Sequence, residues 1–314
     1  MLVLLIALMN LPTAISTLSW QSFIGDIIPD SRRGEFFSER SRILTIVGMI
    51  VTFITGMILN LFEKSSPLPY QLLFLIAFLF GVLEVNFLLK HIEIKQTKDK
   101  LVTNVSFTKT VNLLIQHKSF VTFLICAVIF NFGWQMAWPL FSLYQINDAN
   151  ASAFWVSLFT VANQLSQIVT YRWWSRRAEK WGNSLMLFIA GIGMATAPIF
   201  TILSTNLLYL VFINFYSGIF VSGTVMLMFN QLLNVSPASN RTSFLASYNI
   251  IIGAIGFIAP QIGVYILDLL NMTMAMSISS VIRLFGGLAF LVVVLYVEKA
   301  TNIKEYPNQY HYKR

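Results

Sequence analysis

The sequence predicts an all-α, polytopic membrane bundle of about nine transmembrane helices. Of its 314 residues, 56% are hydrophobic and only 11% are charged, whereas a soluble domain carries roughly 25% charged residues. Several apolar runs have the length of about 20 residues that a helix needs to cross a bilayer. Some of these runs are joined by very short loops, such as Ser204 to Asn206, so consecutive helices are expected to be antiparallel neighbours.

Nine apolar runs are identified as spanning helices. The first of them has neither the basic flank nor the small-residue cleavage site of a signal peptide, so it too is predicted to stay in the membrane. The runs are Met1 to Ile24, Ile43 to Phe62, Gln71 to Leu89, Phe120 to Leu143, Ala153 to Tyr171, Leu185 to Leu203, Leu207 to Leu232, Phe244 to Leu267 and Met274 to Val297.

A charged hinge occurs twice and indicates two related halves. The stretches from Trp20 to Arg42 and from Asn230 to Asn249 both contain Pro-x-x-x-Arg-x-x-Phe, 208 residues apart. That offset suits six membrane helices with their loops, the unit of many repeat-built transporters. One helix precedes the first hinge and four precede the second within its half, so the amino-terminal half is expected to lack three helices. The matching residues are Pro29, Arg33 and Phe36, then Pro237, Arg241 and Phe244.

The basic residues predict which loops face the cytoplasm. If the helices alternate in direction, 19 of the 21 Lys and Arg residues fall near one side, and such residues concentrate in cytoplasmic loops. The amino terminus is therefore predicted outside the cell membrane and the carboxyl terminus inside. The predicted organisation is a partial amino-terminal bundle (1–90), a cytoplasmic linker (91–118), a six-helix carboxyl-terminal bundle (119–298) and a cytoplasmic tail (299–314).

The composition argues against several other function classes. The net charge of +8 is spread over short loops and forms no basic patch on a soluble module, so nucleic acid is not an expected partner. The one cysteine, Cys126, lies in an apolar run and indicates core packing, not a disulfide or a metal site. The histidines, His91, His117 and His311, have no paired acid or nucleophile at useful spacing, which disfavours a membrane-embedded enzyme. No cofactor is expected.

These features resemble the major facilitator superfamily, whose members have twelve helices in two six-helix halves joined by a longer cytoplasmic loop. The hinge residues Asp26 to Pro29, Arg33 to Phe37 and Arg40 are similar to the fourth-to-fifth helix junction of a bacterial subgroup of these transporters. On this comparison the nine helices look like the fourth to the twelfth, and the resemblance covers essentially the whole chain.

A second loop carries a weaker part of the resemblance. The segment from Ser175 to Asn183 resembles the second-half copy of the family's loop Gly-x-x-x-Asp-Arg-x-Gly-Arg-Arg. Only the acid-base-x-Gly core of Glu179, Lys180 and Gly182 survives, since Ser175 replaces the first glycine and Asn183 a later arginine. The first-half copy would lie between the second and third family helices, which this sequence is expected to lack.

The resemblance implies a secondary active transporter that moves a small solute across the lipid bilayer by alternating access. The substrate is not readable from the sequence, and coupling to a proton or another ion stays open. An alternative is a truncated, non-transporting fragment or membrane assembly partner, because the loss of three helices would remove much of a central cavity.

Charged residues at the predicted cytoplasmic helix ends are candidates for a gate. An acid there can bind an arginine or the positive amino end of a helix when the bundle closes, and the bond breaks when it opens. We expect Glu179 to pair with Arg241 and with the amino-terminal turn of the second predicted span. Asp26 is expected to pair with Arg33 or Arg40. The alternative is that these charges only solvate loops and mark topology. The candidates are Asp26, Arg33, Arg40, Glu179, Lys180, Gly182 and Arg241.

Polar side chains inside the predicted spans are candidates for lining a solute cavity, because such groups are costly in hydrocarbon unless they face a cavity or a partner. Their spacings of three and four place several of them on one helix face. Amides and aromatics suit a neutral or amphipathic solute better than a strongly anionic one. The alternative is hydrogen bonding between helices. The candidates are Asn131, Trp134, Gln135, Trp138, Asn163, Gln167, Asn214, Tyr248 and Asn249.

Two ionisable residues, Glu84 and Arg283, fall well inside predicted spans. A buried carboxylate could serve proton coupling, yet Glu84 lies about two turns from the cytoplasmic end of its run, so a structural partner is expected. Arg283 is deep enough to need a carboxylate or backbone carbonyls, and Asp268 and Asp148 are the nearer acids.

Overall fold

A computed structural model describes Leu8 and residues 30–62, 66–90, 113–237 and 240–292 of the chain. These residues form helices and short connections, with no β-strand in the described ranges, so the predicted all-α fold is confirmed. The helices are α1 (Asp30–Asn60), α2 (Leu68–Leu88), α3 (Lys118–Leu143), a π-helical turn (Tyr144–Asp148), α4 (Ala153–Trp181), α5 (Asn183–Ile202), α6 (Leu207–Val235), α7 (Arg241–Leu269) and α8 (Met272–Val292).

Seven helices in the described ranges are long and apolar enough to cross a bilayer, and they match seven of the nine predicted spans. The eighth match, α4, is a helix of 29 residues. Its apolar portion is interrupted by Asn163, Gln164 and Gln167, which lowers its mean hydropathy. The remaining predicted span, Met1 to Ile24, lies outside the described residues except for Leu8, as do most of the predicted linker and all of the tail.

The chain divides into two compact units. One comprises residues up to Val51 together with Phe62–Asn104, and within its described part α2 buries only Pro69. Its long apolar side chains are exposed instead, including Phe74 and Phe78. Such a surface suits contact with lipid, which solvates apolar side chains as well as a protein core does.

The other unit comprises residues Thr52–Leu61 and Val105–Arg314, and it holds the six helices α3–α8. Helix α8 packs against both α3 and α5, α4 packs against α6, α3 against α7, and α5 against α6. These contacts form a continuous series, α7–α3–α8–α5–α6–α4, which joins the six helices in one bundle.

Aromatic side chains fill one end of the bundle. Phe120 meets Phe244 edge to face with ring centroids 4.7 Å apart, and Phe123 lies 6.2 Å from Phe290. These four rings are fully or almost fully buried. Edge-to-face and tilted arrangements are those that aromatic rings prefer, so the bundle end has a defined packing that joins α3 to α7 and α8.

Glycines allow two helices of the bundle to touch along their backbones. Gly191 of α5 faces Gly287 of α8, and a Cβ added at Gly191 would lie 3.1 Å from the Gly287 Cα. In membranes, where lipid is as apolar as leucine, close backbone approach at small residues is a principal source of helix association. The α5–α8 contact therefore depends on the absence of side chains at both positions.

Candidate functional site

A partly open cavity of about 450 Å³, lined by both polar and apolar side chains, lies among the helices of the α3–α8 bundle. Its wall is formed by α3, the π-helical turn, α4, α5, α6 and α8. The volume falls within the range of roughly 300–1,000 Å³ that small-molecule sites have. Because the surrounding helices are apolar and bilayer-length, the cavity places polar side chains at a depth where they would otherwise be costly.

The cavity brings together six of the nine side chains that the sequence nominated. The other three lie elsewhere. Asn131 is buried and donates to the Ala127 carbonyl oxygen at 2.8 Å and to the Met228 sulfur at 3.4 Å. Tyr248 stacks on Phe123, and Asn249 is exposed. The six lining residues are Trp134, Gln135, Trp138, Asn163, Gln167 and Asn214.

An amide network forms the α4–α6 side of the cavity. Gln167 Nε2 donates to Asn163 Oδ1 at 2.7 Å, and Asn163 Nδ2 donates across to the backbone oxygen of Asn214 at 3.0 Å. The Asn214 amide donates to the Leu210 carbonyl at 2.8 Å. These residues thus both join α4 to α6 through hydrogen bonds and line the cavity, while their role in binding a solute stays a prediction.

Several lining residues were not among the sequence candidates. Thr160 precedes Asn163 and Gln167 by three and seven residues, so the same helical spacing would have found it. Gln145 lies in the π-helical turn, where Ala149 N donates to the Tyr144 oxygen at 2.9 Å. A π turn of this kind changes which side chains face inward, and the periodicity of the sequence does not predict it.

Arg283 also faces the cavity and is only 1% exposed. Its Nε donates to the Gly133 oxygen at 3.2 Å, Nη1 to the Met194 oxygen at 3.0 Å and Nη2 to the Trp134 oxygen at 3.3 Å. The guanidinium carbon stands 5.6 Å from the ring centre of Phe141, in cation–π range. The side chain thus joins α8 to α3 and α5 at the cavity wall.

Of the two kinds of partner expected for Arg283, carbonyls or a carboxylate, the described residues supply carbonyls. Neither Asp148 nor Asp268 forms one of its hydrogen bonds. The other ionisable residue expected within a span, Glu84, is exposed on α2. No group of three or more histidine, cysteine or acidic residues suited to a metal ion occurs in the part of the chain that the structure describes.

The gate candidates are only partly described. Glu179 and Lys180 are exposed on the last turn of α4, which ends at Gly182 with a φ of 87°, a conformation that favours glycine. Arg40 is half-buried in α1. Three other gate candidates are not fully described by the structure. Asp26 lies outside the described residues, and the side chains of Arg33 and Arg241 are not described. The pairing of Glu179 with Arg241 stays a prediction.

Cysteine labelling is expected to separate the cavity wall from the packed core. In a Cys126→Ala background, Gln135→Cys should react with a membrane-impermeant methanethiosulfonate at least tenfold faster than Asn131→Cys. The two positions are one turn apart on α3, but Gln135 lines the cavity while Asn131 is 4% exposed. Reaction rates on the folded protein measure the difference. Equal rates, or faster labelling at position 131, would contradict the cavity assignment.

Comparison with known proteins places the chain in a family. The sequence model of the Major Facilitator Superfamily matches residues 123–309, more than half of the chain. No curated protein sequence matches significantly. The matched region includes nearly all of the six-helix bundle and the whole cavity, and the apolar helices fit a multi-pass membrane protein. The chain belongs to the Major Facilitator Superfamily, and this match together with the apolar helices supports a membrane transporter of that kind.

Proposed function

We propose that the chain is a secondary active transporter that moves a small solute by alternating access. The observation that carries the proposal is the cavity among the helices of the α3–α8 bundle, to which five helices contribute amide, hydroxyl or guanidinium groups. Transporters of repeat-built architecture hold their solute near the bilayer midplane and rock one bundle against another around it. A cavity of small-molecule size in one bundle supplies half of such a site.

The proposed organisation follows the internal repeat. Residues 1–90 form a partial amino-terminal bundle, 91–118 a cytoplasmic linker, 119–298 the complete six-helix bundle and 299–314 a cytoplasmic tail. The distribution of basic residues supports an outside amino terminus and an inside carboxyl terminus in the cell membrane.

The proposed inner gate uses the charged helix ends. Glu179 would bind Arg241 when the cytoplasmic face closes, and Asp26 would bind Arg33 or Arg40. The exposed position of Glu179 at the end of α4 supports this role, since a gating acid must reach a partner on another helix. Lys180 and Gly182 complete the loop, where the turn at Gly182 sets the direction in which α5 begins.

A second candidate function is a non-transporting assembly partner. The observation that favours it is the exposure of nearly every side chain on α2, which leaves a long apolar surface open to another membrane protein. A transport assay on the purified chain decides between the two candidates.

The test loads proteoliposomes containing the full chain with a mixture of small metabolites and follows their loss by mass spectrometry. At least one solute should leave faster than from protein-free liposomes. Ser217→Trp, which fills the cavity from α6, should abolish that difference. The matched control, Phe212→Trp, adds the same ring to the same helix at a position 72% exposed and should transport normally. If every solute leaves at the protein-free rate, the transporter proposal is wrong.

A further inference from the structure

We propose that the transported solute is an organic monoanion, such as a carboxylate with an aromatic or aliphatic body, and that Arg283 supplies its counter-charge. This inference rests on the proposed transport function and names the substrate class of the same cavity. Its basis is a positive charge at the cavity wall that no acidic side chain in the described residues neutralises.

The depth of Arg283 makes that charge significant. It lies in the middle of α8, about 16 Å from the first residue and about 14 Å from the last at roughly 1.5 Å per residue. Its side chain is 1% exposed. An ionisable group at this depth in a membrane protein almost always faces a partner or a water-filled path and marks a functional site.

The hydrogen bonds of Arg283 provide acceptors for three of its N–H groups, but they do not neutralise its positive charge. Three of its five N–H groups donate to backbone carbonyls, one each from Nε, Nη1 and Nη2. One N–H on Nη1 and one on Nη2 are not used in these three bonds, and a guanidinium N–H can donate to a carboxylate oxygen. Carbonyl dipoles carry no net charge, and no aspartate or glutamate is among the described residues that line the cavity. An anionic solute would supply what the wall lacks.

A purely structural role for Arg283 does not explain why this position carries a positive charge. A residue that only joined α8 to the Gly133 and Met194 carbonyls would need donors, and a neutral glutamine has them. A buried arginine carries a desolvation penalty that a neutral amide avoids. The charge itself is therefore unexplained by helix packing, whereas binding of an anion in the cavity uses it.

The other lining residues indicate the chemical character of the uncharged part of the solute. Trp134, Phe141 and Met194 offer apolar surface beside the guanidinium. The amides of Asn163 and Gln167 are bonded to each other on the part of the cavity wall that α4 forms. A single positive charge with aromatic neighbours fits an amphipathic monoanion, while a di- or trianion would bring more negative charge than the cavity balances.

The test compares acids with their neutral amides on the purified full chain. The probes are 1-naphthoate against 1-naphthamide, indole-3-acetate against indole-3-acetamide, and octanoate against octanamide, with binding followed by titration calorimetry in nanodiscs. Each acid should bind at least tenfold more tightly than its amide. Arg283→Gln should remove the preference, and Arg283→Lys should keep part of it. Amides that bind as tightly as acids to the wild type, or a preference that survives Arg283→Gln, would overturn the inference.

A second variant keeps the test decisive if Arg283→Gln does not fold. Gln135→Glu is nearly isosteric and places a negative charge in the cavity from α3. It should weaken binding of each acid at least tenfold more than it weakens binding of the matching amide. Unchanged binding of the acids to a folded Gln135→Glu protein would refute the proposed electrostatic site.

The outcomes separate this inference from the transporter proposal. If the acids bind with the expected preference but no solute crosses in proteoliposomes, the anion site stands and transport fails. If the liposomes release only neutral solutes and the acids show no preference, transport stands and the anion assignment fails.

Discussion

Replacing Trp174 with alanine is expected to destabilise the α3–α8 bundle by roughly 2–4 kcal/mol. The indole is 1% exposed, and its Nε1 donates to the Ile219 carbonyl at 2.7 Å. It also lies on Gly223 of α6, where an added Cβ would stand 2.5–2.9 Å from three indole atoms. Truncation of buried aromatic residues costs about 3–5 kcal/mol in soluble proteins. The expected loss is somewhat smaller in a membrane, where lipid also solvates apolar surface.

The neighbouring tryptophan is the matched control. Trp173 is 46% exposed, and its ring contacts Arg177 in cation–π geometry at 5.6 Å. Trp173→Ala should change the free energy of unfolding by about 1 kcal/mol or less, the size of an exposed cation–π contact. Equilibrium unfolding in mixed micelles measures both variants. Equal losses for the two would mean that α4 does not pack on α6 through Trp174.

Helix α4 extends further than the sequence predicted, and Trp174 lies in the extension. Hydropathy predicts a span that stops at Tyr171, because four basic residues follow closely. The helix continues to Trp181, since Trp174 and Ala178 are four residues apart and both buried in the bundle interior. A short apolar face among charges gives little hydropathy signal, whereas the long apolar runs of the other helices give a strong one.

The site was only partly readable for a related reason. Asn163 and Gln167 share a helix face at a spacing of four, and their amides do meet on the cavity wall. Arg283 was noticeable as a charge inside an apolar run. Its place at the wall depends on carbonyls from α3 and α5, which lie 150 and 89 residues away in sequence, respectively. Such convergence is a property of packing, so the sequence of α8 alone does not reveal it.

The contact between the two helices α3 and α8 links the packing of the core to the position of Arg283 at the cavity wall. Gly286 lies one turn beyond Arg283 on α8 and faces Phe130, which precedes Gly133 on α3 by three residues. Ser279 Oγ, also on α8, donates a second hydrogen bond to the Gly133 oxygen at 2.8 Å. The separation of the two helices therefore sets both the density of the core and the reach of the guanidinium to its carbonyl partners.

Gly286→Ala is expected to strain this contact more than a matched glycine replacement elsewhere. The added Cβ would lie 2.6–2.7 Å from the Cα, Cβ and N atoms of Phe130, and a backbone cannot rotate away as a side chain can. Gly253→Ala on α7 meets nothing within 4 Å. Because both variants gain the same helix propensity, the difference between their unfolding free energies isolates the overpacking, about 1–3 kcal/mol.

A binding measurement tests whether the strain caused by Gly286→Ala also alters the position of Arg283 in the cavity wall. Forcing α3 from α8 draws the Gly133 and Trp134 carbonyls away from Arg283, so Gly286→Ala should change the acid-over-amide preference as well as stability. Gly253→Ala should leave both unchanged or slightly raise stability. If the two variants unfold alike, the α3–α8 distance is not fixed at Gly286. If Gly286→Ala loses stability but keeps the preference, Arg283 is positioned by α5 through the Met194 carbonyl and not by α3.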